Sequence, residues 1–299
     1  MYILDIKNLT KLYGDFKAVD DLSFVVSQGN LFAFLGQNGA GKSTTINIII
    51  GLLGKDSGKI KYGNNQSFNE FKSQIGVVFQ NNIFDDLLTV EENLMLYGSL
   101  YTKDKNQLKM RYAEIIEIMG LTEYSKKKFK ILSGGQKRKA EIARAIFFSP
   151  KILFLDEPTT GLDPKTRKEV WSILYRIQQE TGMTVFLTTH YMEEAADADQ
   201  VVIIHKGKMV CAGSPSELKA KFSSDSLIIV PKNEAVFETK LSQLHLNFNK
   251  IADKYYIIVD NTEHSIDLLG ILKDFIKFYE VKKGSMEDVF LNVVGESIG

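Results

Sequence analysis

The fold is decided by the stretch Gly36-Gln37-Asn38-Gly39-Ala40-Gly41-Lys42-Ser43. It follows an apolar run at residues 31–35 and precedes a helical pattern, so it joins a buried strand to a helix. Glycines let the backbone wrap closely around phosphate oxygens, where successive N–H groups and the start of a helix provide positive potential. The spacing G-x-x-x-x-G-K-S/T therefore predicts a phosphate-binding loop.

The side chains at the end of this loop have distinct expected contacts. Lys42 would reach the β- and γ-phosphates of a nucleotide and stabilise the charge that develops during the reaction. The Ser43 hydroxyl would bind Mg²⁺. With Thr44 included, we expect residues 36–44 to surround the phosphates.

An acidic pair, Asp156 and Glu157, follows the apolar run at residues 152–155. A carboxylate at the carboxyl end of a buried strand, beside a phosphate-binding loop, is where a metal ligand is expected. Adjacent residues of an extended chain point in different directions, so the two acids can have separate roles. We predict that Asp156 contacts the metal and that Glu157 orients the attacking water.

Apolar runs alternate with helical patterns up to about residue 220, which is typical of an α/β fold with a mostly parallel sheet. The predicted strands are residues 31–35, 76–79, 152–155, 185–188 and 201–204. The pattern is helical between residues 89 and 131, and Thr89-Val-Glu-Glu92 fits a capping box. This stretch predicts an inserted helical subdomain at about residues 85–150.

A change of composition at residues 222–226 predicts a domain boundary, with one domain at residues 1–222 and a second at 226–299. The second domain has predicted strands at 227–230, 246–251, 255–259 and 278–281. One predicted helix carries Phe237, Leu241 and Leu244, and another carries a face that ends in Phe275 and Ile276. The order βαββαβ, followed by a terminal helix after Ser285, predicts a ferredoxin-like α+β domain.

The pentapeptide Leu132-Ser133-Gly134-Gly135-Gln136 is the most specific signal. Ser133 and Gln136 form a capping-box pattern, so the ordinary interpretation is a helix start. A serine hydroxyl and glycine N–H groups at a helix start also form an anion site. The two interpretations are compatible.

With these motifs in order, residues 3 to 220 resemble the nucleotide-binding domain of ABC transporters. The resemblance implies a RecA-like P-loop NTPase core with an N-terminal antiparallel β subdomain, and ATP and Mg²⁺ as ligands. It also assigns roles to four further residues. Tyr13 would stack on adenine, and Gln80 would sense Mg²⁺ and connect to the transmembrane partner. Asp163 would lie in the loop 161–163 that crosses the dimer interface, and His190 would contact the γ-phosphate. Gly161 stands where the family often has serine.

The family's geometry implies that two such domains pack head to tail. ATP held by one phosphate-binding loop would then meet the Ser133–Gln136 segment of the other subunit. The resemblance thus implies a homodimer, or a pair with a paralogous ATPase, and a separate transmembrane permease. Ser43, Gln80 and Asp156 would hold Mg²⁺, while Lys42, Gln80, Glu157 and His190 would take part in hydrolysis.

Composition excludes several other classes of protein. The 37 basic and 37 acidic residues balance, so no global field favours nucleic acid. A lone cysteine, Cys211, excludes a disulfide framework and suits a reducing compartment. There is no run of about 18 apolar residues and no secretory signal pattern. We expect a cytoplasmic protein, peripheral on the inner face of the cell membrane, that contacts the membrane only through the permease.

The segments 191–197 and 284–291 resemble the branch of ATPases that serves drug exporters of the daunorubicin and bacitracin type. This resemblance favours export of drugs, lipids or peptides. Two alternatives are weighed against it. A soluble ATPase acting on ribosomes or nucleic acid would usually have two such domains or a long coiled coil, and an importer subunit would share the chemistry.

Overall fold

A computed structural model of the chain describes residues 1–63, 66–259 and 262–295. In chain order its strands are β1 (Tyr2–Tyr13), β2 (Phe16–Ser27), β3 (Leu31–Leu35), β4 (Ser57–Tyr62), β5 (Ile75–Val78), β6 (Ile152–Asp156), β7 (Thr184–Thr189), β8 (Gln200–His205), β9 (Lys208–Gly213), β10 (Asp225–Pro231), β11 (Phe248–Ile251), β12 (Lys254–Val259) and β13 (Ile276–Lys282). The helices are α1 (Lys42–Ile49), α2 (Phe68–Lys72), α3 (Val90–Ser99), α4 (Lys105–Ile118), α5 (Gly134–Ile146), α6 (Pro164–Thr181), α7 (Met192–Ala196), α8 (Pro215–Phe222), α9 (Glu234–Gln243), α10 (Thr262–Leu272) and α11 (Met286–Gly295).

The central sheet has six strands in the order β5-β6-β7-β3-β8-β9. Its pairs β5–β6, β6–β7, β7–β3 and β3–β8 are all parallel. Every residue of β3, β6 and β7 is buried, as the continuous apolar runs require of strands covered on both faces. All five strands predicted for this domain are confirmed, with ends that differ by at most one residue.

An antiparallel sheet, β2-β1-β4, packs against one side of the central sheet and α1. The rings of Phe24, Phe32, Phe34, Phe154 and Phe186 fill this layer, and the Phe32 and Phe186 centroids are 4.9 Å apart. Offset aromatic contacts of this kind add to the apolar area that the core buries. The predicted N-terminal antiparallel subdomain and α/β core are therefore confirmed.

Helices α3, α4 and α5 lie between β5 and β6 in sequence, in the region predicted to be helical. The Thr89 capping box is present: the backbone N–H of Thr89 donates to Glu92 Oε2 at 2.7 Å, and that of Glu92 donates to Thr89 Oγ1 at 3.1 Å. Both donors would otherwise lack a partner within the helix.

The chain forms two compact units, Met1–Ala212 and Gly213–Gly299. The second unit has the sheet order β11-β12-β10-β13, all antiparallel, with the predicted βαββαβ succession. The units divide ten residues before the boundary expected at residue 222, because α8 packs against α11 within the second unit. The two predicted domain ranges stay a prediction, and residues 296–299 lie outside the described part.

One helix prediction in the second unit is wrong at its end. Helix α10 ends at Leu272, residues 273–275 form a 3₁₀ turn, and Ile276 begins β13 opposite Pro231. Strand pairing decides the conformation of Ile276, although its helical spacing from Leu272 favours a helix. The strand predicted at 246–251 likewise begins only at Phe248.

None of the helices in the described ranges combines the length and apolarity that crossing a bilayer requires.

A matched pair of leucines tests the buried parallel sheet. Leu153 in β6 is 0% exposed, whereas Leu100 after α3 is 74% exposed. Leu153→Ala should lower the free energy of unfolding of the first unit by about 2–5 kcal/mol, since it leaves a cavity between packed layers. Leu100→Ala should change it by less than about 0.5 kcal/mol. Urea titration measures both, and equal effects would contradict burial of β6 on both faces.

Candidate functional site

The loop at residues 36–41 connects the buried end of β3 to the start of α1. Gly41 has a φ of 105°, and a Cβ built there would lie 2.4 Å from the carbonyl oxygen of Ala18. Gly39 has a φ of 81°. Both positions need glycine, because other residues rarely adopt this conformation and a side chain at Gly41 would clash. The loop therefore has the tight backbone that the motif predicts.

Lys42 lies at the centre of the site and is only 4% exposed. Its ammonium donates to the carbonyl oxygens of Gly36 at 2.8 Å and Gln37 at 3.1 Å. It also forms an ion pair with Glu157, with Nζ and Oε1 3.0 Å apart. A buried cation needs such partners, since burial without them is costly. Lys42 and Glu157, two of the predicted site residues, are thus in direct contact.

Asp156, the last residue of β6, faces α1. Its Oδ1 accepts a hydrogen bond from Ser43 Oγ at 3.2 Å and another from Thr188 Oγ1 at 2.5 Å. Thr188 lies on the neighbouring strand β7, directly opposite Asp156 in the parallel register. Two oxygen ligands of the kind that Mg²⁺ prefers therefore lie side by side at the carboxyl edge of the sheet.

Glu157 turns away from the strand with a φ of 46°, which is uncommon for a residue with a side chain. Its backbone N–H donates to the carbonyl oxygen of Thr188 at 3.1 Å. Its Oε2 accepts from Thr160 Oγ1 at 3.2 Å and lies 3.3 Å from His190 Nδ1. Glu157 thus joins Lys42 on one side to His190 on the other.

Burial raises the pKa of the Glu157 carboxyl, but the Lys42 ammonium and His190 outweigh burial and hold the pKa below its ordinary value of 4.5. Stabilisation of the ionised form by a nearby cation is the expected cause. The Nδ1 of His190 is buried and has no well-aligned hydrogen bond within the described residues, so its approach to Glu157 is a close contact of poor geometry.

A cavity of about 350 Å³ opens over the loop. Its lining includes nine of the predicted residues: Tyr13, Asn38, Gly39, Gly41, Lys42, Ser43, Thr44, Gln80 and Glu157. Tyr13 and Gln80 are exposed at its rim. Gly36, Gln37 and Ala40 complete the loop, with the Ala40 N–H donating to the Gln37 carbonyl at 3.1 Å.

Sequence reasoning missed Phe16 and Ala18, which also line this cavity. Phe16 pairs with Tyr13 across the turn between β1 and β2, so two exposed rings stand at the mouth. An aromatic residue on each side of Gly14-Asp15 was the available signal.

The segment 133–136 lies at the start of α5. The Gln136 N–H donates to Ser133 Oγ at 3.3 Å and the Ser133 N–H donates to Gln136 Oε1 at 3.0 Å, so the capping box is complete. Ser133 and Gly134 are exposed, whereas Gly135 is buried against Thr166, which leaves no room for a side chain. The exposed helix start has the features of an anion site.

Asp163 lies next to this helix start and caps α6. Its Oδ1 accepts from the Thr166 N–H at 3.0 Å and its Oδ2 from Thr166 Oγ1 at 2.5 Å. These bonds from Thr166 lower the pKa of the Asp163 carboxyl. Thr166 therefore links the exposed Asp163 to Gly135, which is buried beneath the helix start.

The structure therefore groups the predicted residues into two sets. The first set surrounds the cavity. Asp156 and His190 belong to this set because Asp156 contacts the lining residue Ser43 and His190 contacts the lining residue Glu157. The second set is residues 133–136 and Asp163, none of which is among the described residues that line the cavity. Each set is one part of the site that the sequence predicts.

Arg138 connects the two sets and was also missed. Its guanidinium donates to the carbonyl oxygens of Phe79 at 2.6 Å, Asp156 at 3.2 Å and Pro158. Burial lowers its pKa to about 10, so it stays charged at neutral pH. Its position in α5, one turn after Ser133, carries no signal for these distant backbone partners.

The lowered pKa of Glu157 predicts how stability depends on pH. A carboxyl whose pKa is lower in the folded than in the unfolded chain stabilises the folded state at pH values above the unfolded pKa of about 4.5. This contribution is lost as the pH falls through the folded pKa. Urea titrations from pH 7 to pH 3 should show Glu157→Gln differing most from wild type near pH 7 and converging with it below about pH 4.5. The exposed Glu123→Gln should follow wild type throughout. A constant gap between Glu157→Gln and wild type would rule out the ionised pair.

Known proteins share both units of this chain. The ABC transporter family matches residues 19–160, and the C-terminal domain of DrrA1-3-like ATP-binding proteins matches residues 213–294. An AAA domain family overlaps at residues 128–195.

The relatives extend over the whole chain. The linearmycin resistance ATP-binding protein LnrL of Bacillus subtilis is 34% identical and covers 99% of this chain and 99% of its own. The daunorubicin/doxorubicin resistance ATP-binding protein DrrA of Streptomyces peucetius is 33% identical, covering 98% and 92%. A dimeric structure of the ATP-binding cassette MJ0796 bound to ADP and Pi has a TM-score of 0.65 and 28% identity, covering 71% of this chain and 98% of its own.

Full-length identity above 30%, both family matches and the strand–loop–helix geometry agree. The chain belongs to the ATP-hydrolysing subunits of ABC transporters, in the drug-export branch whose members carry a DrrA-like C-terminal domain.

Proposed function

We propose that two copies of this chain close head to tail on two ATP molecules, and that this closure drives a separate permease. One observation supports the proposal above all others: the phosphate-binding cavity and the Ser133 helix start lie on separate surfaces of one unit. Cassettes of this family dimerise and work with transmembrane permeases. A second copy would bring a helix start to each cavity, so each ATP would contact both chains.

The residues present fit Mg²⁺ as well as ATP. Ser43 Oγ and Asp156 Oδ1 are 3.2 Å apart, and Gln80 lines the same cavity. Within the described ranges, no group of three or more His, Cys, Asp or Glu side chains could hold a metal by itself. Asp156 together with Ser43 suits Mg²⁺, which usually binds one or two carboxylates together with phosphate oxygens. When bound, the ion would neutralise charge on the transferring phosphate.

The chain's own groups would carry out the rest of the reaction. Lys42 and the N–H groups of residues 36–44 would bind the β- and γ-phosphates. The Glu157 carboxylate, ionised at neutral pH, would orient the attacking water. His190, beside Glu157, would contact the γ-phosphate. Tyr13 would stack its ring on adenine, and the other copy would supply residues 133–136 and Asp163.

The proposed setting is the inner face of the cell membrane, with contact to the membrane through the permease. LnrL and DrrA are named for resistance to linearmycin and to daunorubicin or doxorubicin, so we propose an exported cargo of drugs, lipids or peptides. Neither an importer nor an ATPase acting on ribosomes or nucleic acid is favoured, because these relatives match over the whole chain. The balanced charge also argues against a nucleic-acid partner.

Replacing Glu157 by glutamine tests both hydrolysis and dimer formation. The amide keeps the size of the side chain but cannot hold the water as a carboxylate does, so turnover should fall by at least about 100-fold. Because ATP would stay intact, the variant should form a dimer that persists in Mg-ATP and separates when nucleotide is removed. Phosphate release and size-exclusion chromatography with light scattering measure the two effects.

The exposed Glu123→Gln serves as the control and should behave as wild type in both assays. Rapid turnover by Glu157→Gln would remove Glu157 from its proposed role. An inactive variant that stays monomeric at high ATP concentration would count against the homodimer.

Tyr13 offers a separate test of the base-binding end. Tyr13→Ala should weaken ATP binding about tenfold, since stacking of an aromatic ring on a base contributes about 1–3 kcal/mol. Tyr13→Phe should bind like wild type, because the ring face is needed and the hydroxyl is not. Isothermal titration calorimetry measures the Kd, with the exposed Tyr2→Ala at the other end of β1 as control. Equal affinity of Tyr13→Ala and wild type would assign Tyr13 to packing alone.

A further inference from the structure

A buried carboxylate lies four residues after His190 in sequence and belongs to neither of the two sets of site residues. Glu194, in the short helix α7, is only 6% exposed. Its Oε1 accepts hydrogen bonds from Thr159 Oγ1 and, at 3.0 Å, from Trp171 Nε1. Its Oε2 accepts from Thr189 Oγ1 at 2.5 Å. Three donors from three separate segments of the chain therefore meet on one carboxylate.

Two of these donors lie next to residues with proposed roles in hydrolysis. Thr189 immediately precedes His190, and its hydroxyl also accepts a hydrogen bond from the Tyr191 N–H at 2.9 Å. The residues on both sides of His190 are thus held by one hydroxyl that donates to Glu194. Thr159 is two residues after Glu157, and its neighbour Thr160 donates to Glu157 Oε2. Glu194 ties together the segments that carry Glu157 and His190.

Burial makes this arrangement specific. An unpaired polar group in the interior is costly, so Thr159, Trp171 and Thr189 each favour the position in which the carboxylate can accept from them. Hydrogen bonds from several sides restrict the side chain to one position, and catalytic groups need to be held within about 0.5 Å of their productive geometry.

We propose that Glu194 is a positioning residue for hydrolysis, which sets the place of His190 relative to Glu157. The proposal rests on the role proposed for His190. Glu194 would itself contact neither ATP nor the attacking water. It acts through Thr189 on the segment 189–191, and the Thr159 bond keeps that segment in register with the loop after Glu157.

A purely structural role is the alternative, because Trp171 anchors the same carboxylate to α6. In that case loss of Glu194 would lower stability and reduce activity in every background to the same degree. A positioning role predicts instead that the effect on kcat depends on His190 being present.

The experiment is a double-mutant cycle in the full-length chain, with kcat, KM and thermal unfolding measured for Glu194→Gln, His190→Ala and the double variant. Glutamine keeps the shape of Glu194 but presents one NH₂ group, so it cannot accept from all three donors. Misplacement of a reacting group by about 1 Å can cost about 100-fold in rate, so we expect kcat to fall by at least tenfold. We expect KM to stay within about twofold, because the phosphate-binding loop is untouched.

Glu193→Gln is the matched control. It makes the same chemical change at the preceding residue, whose side chain is 90% exposed, and it should leave all three quantities as in wild type. Thr189→Val is a second variant that removes the hydrogen bond between Thr189 and Glu194, with little change in volume. It keeps the test decisive if Glu194→Gln does not fold.

The outcomes separate the two proposals. A drop in kcat for Glu194→Gln that disappears when His190 is already alanine supports the positioning role. An equal drop in both backgrounds, or unchanged kcat for both Glu194→Gln and Thr189→Val, overturns it. If His190→Ala itself hydrolyses ATP at the wild-type rate, the role proposed for His190 fails, and the inference about Glu194 fails with it.

Discussion

The structure of the site depends on the buried ion pair between Lys42 and Glu157. Removing two charges from water is costly, and the attraction between them compensates only when the remaining donors and acceptors are satisfied. Here two carbonyl oxygens of the phosphate-binding loop accept from Lys42, while Thr160 donates to Glu157. The pair therefore joins the loop after β3 to the loop after β6. A shift of either loop would leave a buried charge without its partner.

The order of the strands brings these loops together. In the succession β5-β6-β7-β3, the carboxyl ends of four parallel strands lie in a row. They lead, in that order, to Gln80, to Asp156 and Glu157, to His190, and to the phosphate-binding loop. Ligands of open parallel sheets bind at this edge, where the loops diverge. Segments far apart in sequence thus meet because the parallel register places the ends of their strands side by side.

This explains which features could be predicted from the sequence. The glycine loop, the buried strands and the capping boxes at Thr89 and Ser133 each depend on neighbours within a few residues. Arg138 and Glu194 could not be found in that way, because their roles arise from contacts between segments distant in sequence. The prediction of where α10 ends was wrong for the same reason. Pairing of Ile276 with Pro231 outweighed a local helical pattern.

The exposed helix start at Ser133 is tied to the cavity through the interior of the same unit. Arg138, one turn further along α5, bonds to the carbonyl oxygens of Asp156, Pro158 and Phe79, which lie beside the acidic pair and Gln80. Gly135 packs against Thr166, and Thr166 bonds to Asp163, six residues after Glu157. Since the Arg138 bonds to Asp156 and Pro158 are buried, α5 cannot shift as a rigid body without moving the backbone that carries Asp156 and Glu157. In the proposed dimer, a phosphate bound at the helix start of one copy would therefore bias the acidic pair of that same copy, which would act on the other ATP. In that dimer, the contacts inside each chain would provide a physical route for coupling the two nucleotides.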